Sequence, residues 1–554
     1  MSIRTSLRHR SSRLLQRGLV EGRAARYMWR AGMIGGDSPA RSLEAFRALD
    51  RLGQLGASIA VAAIRHGERP GLIDERGSLS FAELNARSDA LACALRARGV
   101  AEGDGVGILC RNHRGFLDIT FAAAKIGART LLLNTDFAGP QLRDVCQREG
   151  ISLLVHDEEY SGLVGDIETR SGRLLAWTDG DPPPDSLEAL LAAHAGQQPP
   201  APSSPAALVL LTSGTTGTPK GAPRSQSRSL APIGALLSKV PYRSEEATYV
   251  AAPMFHGLGF TQMILSVGLG CTTIVQRRFD PEAALQGIAR HRASALVVVP
   301  VMLRRIVGLM EERPDAYDTS SLRIVFCSGA QLEAELVRRG QRTIGDKLYN
   351  FYGSTEVAYV TFATPEDLRA APGCAGRVPI GAVVRLFDGD GLEVQGAGRV
   401  GRIFVGNSFQ FDGYTGGGNK EIVDELMSTG DVGHFDEAAR LFIDGRDDDM
   451  IVSGGENLFP GEVEELLITH RAVEEAAVIG VDDPEFGKRL AAFVVPRAGQ
   501  SVSGDDIREF VKDNLARYKV PRDVHLIGEL PRNPTGKVLK RQLREEYPAG
   551  HLSE

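Results

Sequence analysis

Residues 207–211 (ALVLL) form an apolar run that passes without a break into TSGTTGTPKG, residues 212–221. A short apolar run with no polar alternation reads as a strand buried on both faces, and such strands belong to sheets covered by helices. The stretch that follows holds three glycines, five hydroxyl residues and a proline, which end regular structure at once. The chain must therefore place a polar loop at the end of a buried strand. In open α/β sheets that edge is where ligands bind.

The rest of the sequence fits the same architecture. Residues 81–98 (FAELNARSDALACALRAR) carry apolar side chains at helical spacing, 105–109 (GVGIL) is a buried-strand run, 116–127 is helical again and 130–133 is strand-like. Short strands are also expected at 295–299 and 323–326. This alternation predicts parallel α/β layering. The proline-rich stretch 181–205 predicts an exposed loop around a short helix. From residue 400 the pattern turns strand-rich (GRIFVG, RLFIDGR), and after Gly461 helices and strands alternate once more (EVEELLITH, AAVIGV, AAFVVP, DIREFVKDNLA). The expected fold is α/β. It has a large N-terminal domain of layered sheets with a β-rich part over 53–446, and a small mobile α+β C-terminal domain over 447–554. A basic N-terminal arm, 1–52, precedes them.

The loop itself suits a triphosphate. Gly214, Gly217 and Gly221 let backbone N–H groups approach oxygen, Thr212, Ser213, Thr215, Thr216 and Thr218 offer hydroxyls, and Lys220 neutralises charge. It is not a Walker A loop, because Pro219 precedes the lysine and a glycine follows it. With Thr355 and Glu356 in YGSTE, Asp431 in STGD, Arg446 in FIDGRDDD and Lys537 in PRNPTGKVLKRQL, the order and spacing of motifs resemble the adenylate-forming enzymes: acyl-CoA synthetases, luciferases and adenylation domains. The resemblance runs from about residue 53 to the end, and within it the chain is most similar to bacterial fatty-acyl-CoA synthetases.

That resemblance implies an acid–thiol ligase using ATP, Mg2+ and CoA. Tyr352 would face adenine, with Gly353, Ser354 and Gly329 beside the nucleotide. Thr355 would meet the α-phosphate and Glu356 the Mg2+. Asp431 and Arg446 would hold the ribose, and Lys220 would clamp the leaving pyrophosphate. Asp448 would be the hinge of the small domain, which delivers Lys537 to the reacting carboxylate and then Ser453, Gly454 and Gly455 to a channel for CoA. His256, in PMFHGLGF, lies where the family closes off the acyl site. A neutral imidazole there cannot pair with a substrate ammonium, which argues against amino acids. The small residues of GLGF leave room for an acyl chain, so medium- or long-chain fatty acids are expected first and aryl acids second. A carrier-protein phosphopantetheine as acceptor and a non-catalytic nucleotide- or acyl-binding role remain as alternatives.

Charge and composition bound the partners. At 554 residues the chain needs more than one domain, and a net charge of -6 offers no general attraction to nucleic acid. Six scattered cysteines without a CxxC pair read as reduced thiols of a cytoplasmic protein. Residues 1–41 differ from the rest, with nine arginines and no lysine against Glu21 and Asp37. This segment is open to three readings: a helix lying on an anionic membrane surface, a targeting leader, and a solvated arm.

Overall fold

Every residue of the strand Gly105–Leu109 is buried, as are those of Ala295–Val298 and Ile324–Cys327. Such strands can sit only in the middle of covered sheets, and two sheets hold them. The computed structural model describes residues 17–212, 220–224, 229–447, 451–453, 456–458, 460–483, 487–515, 519–533 and 536–547. In the first sheet the strand order is Arg173–Trp177, Ile151–Asp157, Gly105–Leu109, Arg129–Leu132, Leu208–Thr212, Lys220–Arg224, parallel up to the antiparallel last pair. The second has eight strands. Its parallel centre runs Leu348–Tyr352, Ile324–Cys327, Ala295–Val298, Ala247–Val250, Thr272–Ile274, Pro70–Asp74, with an antiparallel strand at each edge.

The helix Arg114–Lys125 lies in the core between these layers with all twelve of its residues buried. Its three charges are tolerable because each is paired: Arg114 with Asp74 at 2.6 Å, Asp118 with Arg87 at 2.7 Å and Lys125 with Asp89 at 2.6 Å. The five-stranded sheet around Leu426–Phe435 follows, its side chains Ile403, Val405, Met427 and Leu441 closing a separate small core. Last comes the sheet Val473–Asp483, Gly487–Pro496, Asp523–Leu526, covered by helices Pro460–Ile468 and Gly504–Asn514. The fold is the expected α/β one, with a large sheet-containing domain and a smaller C-terminal one. The strand and helix readings of the sequence match elements to within a few residues, including the short helix Leu187–Ala193 in the proline-rich stretch.

The described part of the N-terminal segment is helical over 17–30 and Pro39–His66, the second helix kinked at Gly53. Both helices pack on the large domain. Glu21 accepts hydrogen bonds from the Ser229 hydroxyl and the Leu230 N–H, Asp37 pairs with Arg65 at 2.8 Å, and Ala24, Met28, Leu52 and Ile59 are buried. All six cysteines are free thiols and five are buried. Among the described residues no helix is long and apolar enough to cross a membrane.

Candidate active site

The two large sheets and the C-terminal domain converge on one cavity of about 1920 Å3. The strand Ile324–Cys327 delivers Ser328, whose hydroxyl donates to the Phe351 carbonyl at 2.7 Å and ties the chain before Gly329 to the neighbouring strand. That neighbour, Leu348–Tyr352, ends in the turn 353–356. Gly353 is obligatory there, because a Cβ would stand 2.0 Å from the Ala358 carbonyl oxygen. The turn holds the Glu356 carboxylate by both oxygens: Ser354 Oγ donates to one at 3.0 Å and the Tyr414 hydroxyl to the other at 2.9 Å. Arg224 donates to the Thr355 carbonyl and lies over the Phe409 ring, while Lys220 Nζ stands 5.2 Å from the centre of the Tyr414 ring.

Asp431 and Arg446 are cross-strand partners in the register of Leu426–Phe435 and Leu441–Arg446. Arg446 Nη1 donates to Asp431 Oδ1 at 3.1 Å, and the Tyr352 hydroxyl donates to Oδ2. Burial raises the Asp431 carboxyl above its ordinary range, against the opposing pull of Arg446, Tyr352 and Lys537. Burial and the adjoining Asp431 charge push the Tyr352 phenol up. Both effects follow from setting a carboxylate and a phenol out of water with one guanidinium between them and the solvent.

Lys537 comes from the other domain. It ends a turn closed by Gly536 N–H on the Asn533 carbonyl at 2.8 Å and by its own N–H on Asn533 Oδ1 at 2.9 Å. Gly536 has φ +77°, and a Cβ there would meet Val301 Cγ1 at 2.5 Å, so this turn is seated directly on the large domain. Gln331 donates to Glu465 at 2.8 Å across the same boundary. The Lys537 charge is felt at Asp431 and at His256. His256 is partly buried at the start of helix Gly257–Gly268, and desolvation, reinforced by Lys537, lowers its imidazole to about 4. It is neutral near pH 7.

Lys220, Gly329, Tyr352, Gly353, Ser354, Thr355, Glu356, Asp431, Arg446, His256 and Lys537 therefore all line one cavity. Thr212 is the last residue of its strand and pairs with Lys220 across the hairpin, so the loop is a strand-to-strand connection. Ser213, Gly214, Thr215, Thr216, Gly217 and Thr218 lie outside the described residues, as do Asp448, Gly454 and Gly455. Ser453 ends the strand Ile451–Ser453, opposite Glu456. Sequence reasoning did not find Arg224, Tyr414 and Lys420, which line the same cavity. Lys220, Arg224, Lys420, Arg446 and Lys537 outnumber Glu356, Asp431 and Asp447 among these residues, which favours a polyanionic ligand.

Residues 59–415 match the family described as AMP-binding enzyme, and residues 462–537 match its companion, AMP-binding enzyme C-terminal domain. The chain belongs to the AMP-binding enzyme family. It is an adenylate-forming ligase, and its C-terminal match ends on Lys537. It is 34% identical over 496 residues to a feruloyl-CoA synthase of Amycolatopsis sp, covering 88% of this chain and 96% of that one. It is 30% identical to a fatty acid–[acyl-carrier-protein] ligase of Streptomyces coeruleorubidus, covering 86% and 93%. The o-succinylbenzoate CoA synthetase of Bacillus subtilis in complex with its acyl-adenylate intermediate superposes with a TM-score of 0.76, at 26% identity and over 88% and 97% of the two chains.

Proposed function

We propose that this ligase activates a hydrophobic carboxylic acid, with medium- or long-chain fatty acids favoured, as its acyl adenylate and transfers the acyl group to CoA. ATP, Mg2+ and CoA are consumed or used in the manner of the family. The observation that carries the acid's class is the cavity. Besides its charged residues its wall carries an apolar set, Ile233, Leu236, Ile264 and Leu265, and its volume of about 1920 Å3 exceeds what a nucleotide alone needs. Ordinary ligand sites occupy ~300–1000 Å3. The neutral His256 offers no charge for a substrate ammonium, in keeping with an uncharged tail.

In the first step a carboxylate oxygen attacks the α-phosphorus, the bond from that phosphorus to the α,β-bridging oxygen breaks, and pyrophosphate leaves with that oxygen. Lys220 and the loop before it hold that leaving group. Lys537 stabilises charge on the reacting carboxylate and α-phosphate oxygens, and Thr355 donates to the latter. Asp431 accepts from the ribose, its orientation fixed by Arg446 and Tyr352. The Glu356 carboxylate, clamped by Ser354 and Tyr414 with lone pairs to spare, is a fitting oxygen donor for Mg2+, which neutralises phosphate charge when bound there. In the second step the CoA sulfur, having lost its proton, attacks the acyl carbon and AMP leaves. Rotation of the small domain about Asp448 would withdraw Lys537 and present Ser453, Gly454 and Gly455 to the CoA arm.

A panel of fatty acids of graded length and aryl acids, assayed for CoA-dependent AMP release, tests the reading. Turnover of aryl acids alone would overturn the fatty-acid preference and favour the second reading, suggested by the feruloyl-CoA synthase relative. Acyl-AMP formation with thioester appearing only on a carrier protein would replace CoA as acceptor. The same reading includes peripheral contact with a membrane through the arginine-rich N-terminal segment.

A further inference from the structure

Half of the exposed large apolar side chains among the described residues fall in one short stretch: Leu19, Trp29, Ile34, Leu43, Phe46 and Leu49. Trp29 is 65% and Phe46 66% exposed, on a molecule whose other aromatic rings of this kind are inside. Leu43, Phe46 and Leu49 recur every third residue and so share one face of helix Pro39–His66. The family match begins only at residue 59, so this face is built almost wholly from sequence that precedes it. Single exposed apolar residues need no explanation, but six within residues 19–49, two of them aromatic, do.

Its charge identifies the occupant. Arg23, Arg26, Arg30, Arg41, Arg47 and Arg51 are exposed on the same two helices and make no ion pair among the described residues. Of the four acids in 17–51, Glu21 and Asp37 are engaged internally with Ser229 and Arg65, leaving Glu44 and Asp50. A second copy of this chain would bring arginine against arginine. An anionic bilayer instead takes the apolar rings into its interface and the guanidinium groups at its phosphates, where each contributes ~1 kcal/mol at low salt.

The same helix walls the acyl cavity. Leu49, Leu55 and Ser58 line it together with Met28 and Met33, and Leu49 is also 43% exposed, so the apolar end of the cavity reaches the surface within the patch. We infer that the helix pair 17–30 and Pro39–His66 is a docking surface for an anionic lipid bilayer, and that the acyl cavity opens onto that bilayer beside Leu49. The docking stands alone; the acyl opening rests on the proposed substrate class.

The chain supplies its own probe, since Trp29 and the buried Trp177 are its only tryptophans. The full chain is mixed with phosphatidylcholine vesicles with and without phosphatidylglycerol. Co-sedimentation with the anionic vesicles is expected, weakening as salt rises, with quenching of tryptophan fluorescence by brominated acyl chains that disappears in Trp29→Phe. Leu43→Ser with Phe46→Ser should weaken binding at least tenfold, about the effect of losing the burial of one large apolar side chain. Deleting residues 1–16 should leave most of the binding. The paired serine variant should turn over a water-soluble short-chain acid at the wild-type rate and a vesicle-held long-chain acid more slowly. Failure of wild type to bind anionic vesicles overturns the docking, as does loss of binding on deleting 1–16 alone. A concentration-dependent dimer abolished by the serine variant would make the occupant a second copy and also overturn it. Equal slowing on both acids overturns the acyl opening. A protein that binds vesicles but ligates no fatty acid refutes the substrate reading and leaves the docking intact.

Discussion

Gly536→Ala isolates the step in which the small domain seats Lys537. The substitution has two costs. One is the left-handed backbone, φ +77°, worth ~1–2 kcal/mol for a residue with a Cβ. The turn is closed by its own hydrogen bonds to Asn533, so this cost is present whether or not the domain is docked, and it cancels from the docking equilibrium. The other is the contact: the new Cβ would stand 2.5 Å from Val301 Cγ1, and that clash exists only in the docked arrangement. Overpacking of this kind costs ~1–3 kcal/mol, which lowers the docked population and the adenylation rate about 5- to 150-fold. Val301→Ala removes Cγ1 and leaves its own Cβ 3.3 Å away, a tight but yielding contact, so the double variant should regain most of the loss. Acid-dependent ATP–pyrophosphate exchange reads the docked step, and thioester formation from supplied acyl adenylate serves as the control. An exchange rate within twofold of wild type for Gly536→Ala, or no recovery in the double variant, refutes the role given to this seating.

Lys537→Ala should lower pyrophosphate exchange by ~10²–10³ while sparing thioester formation from supplied adenylate; normal exchange would remove the lysine from the mechanism. Tyr352→Phe keeps the ring but leaves the buried Asp431 to Arg446 alone, which should raise the KM for ATP by about 10- to 150-fold, the loss of one hydrogen bond to a charged group. The His256 imidazole is lowered to about 4 from 6.5, so unfolding takes up a proton between those values. Its contribution to stability is complete above pH 6.5 and is lost as pH falls toward 4, and thermal midpoints of His256→Gln should depend less steeply on pH in that window. An unchanged slope would show that the imidazole is not held neutral by burial.

Strands such as GVGIL and IVFC were legible because burial on both faces leaves an apolar run that needs no knowledge of neighbours. Most of the motif residues were legible because they sit at a strand end or turn whose local sequence is restricted, as Gly353 is by the Ala358 carbonyl, whereas Asp431 lies inside the strand Leu426–Phe435. Tyr414 and Arg224 were not. Tyr414 meets Glu356 from 58 residues away, and Arg224 reaches the Thr355 carbonyl across 131. Nothing in YTGGG or GAPRS marks either residue, since their value comes from where the sheets bring them. The N-terminal segment was read from its arginines and from apolar residues before position 16, and the apolar side chains after it are spaced too unevenly across the break at 31–38 to announce two helices packed on the large domain.

The two ends of the cavity are governed by different parts of the chain. At the charged end, Lys537 sits on a turn that leaves again in the proposed mechanism, and the contact of Gly536 with Val301 is a close fit of a glycine against one side chain. That suits a surface that separates once per turnover. At the apolar end, Leu52, Ile59 and Ala62 are buried on helix Pro39–His66, which packs on the large domain rather than on the C-terminal one, so that wall is built apart from the turn that carries Lys537. Chemistry and acyl selection should therefore be separable by mutation. Enlarging or filling the wall at Met33, Leu55 or Ser58 should change which acids are accepted while leaving pyrophosphate exchange on a short acid at its original rate. Changes at Gly536 should slow every acid alike.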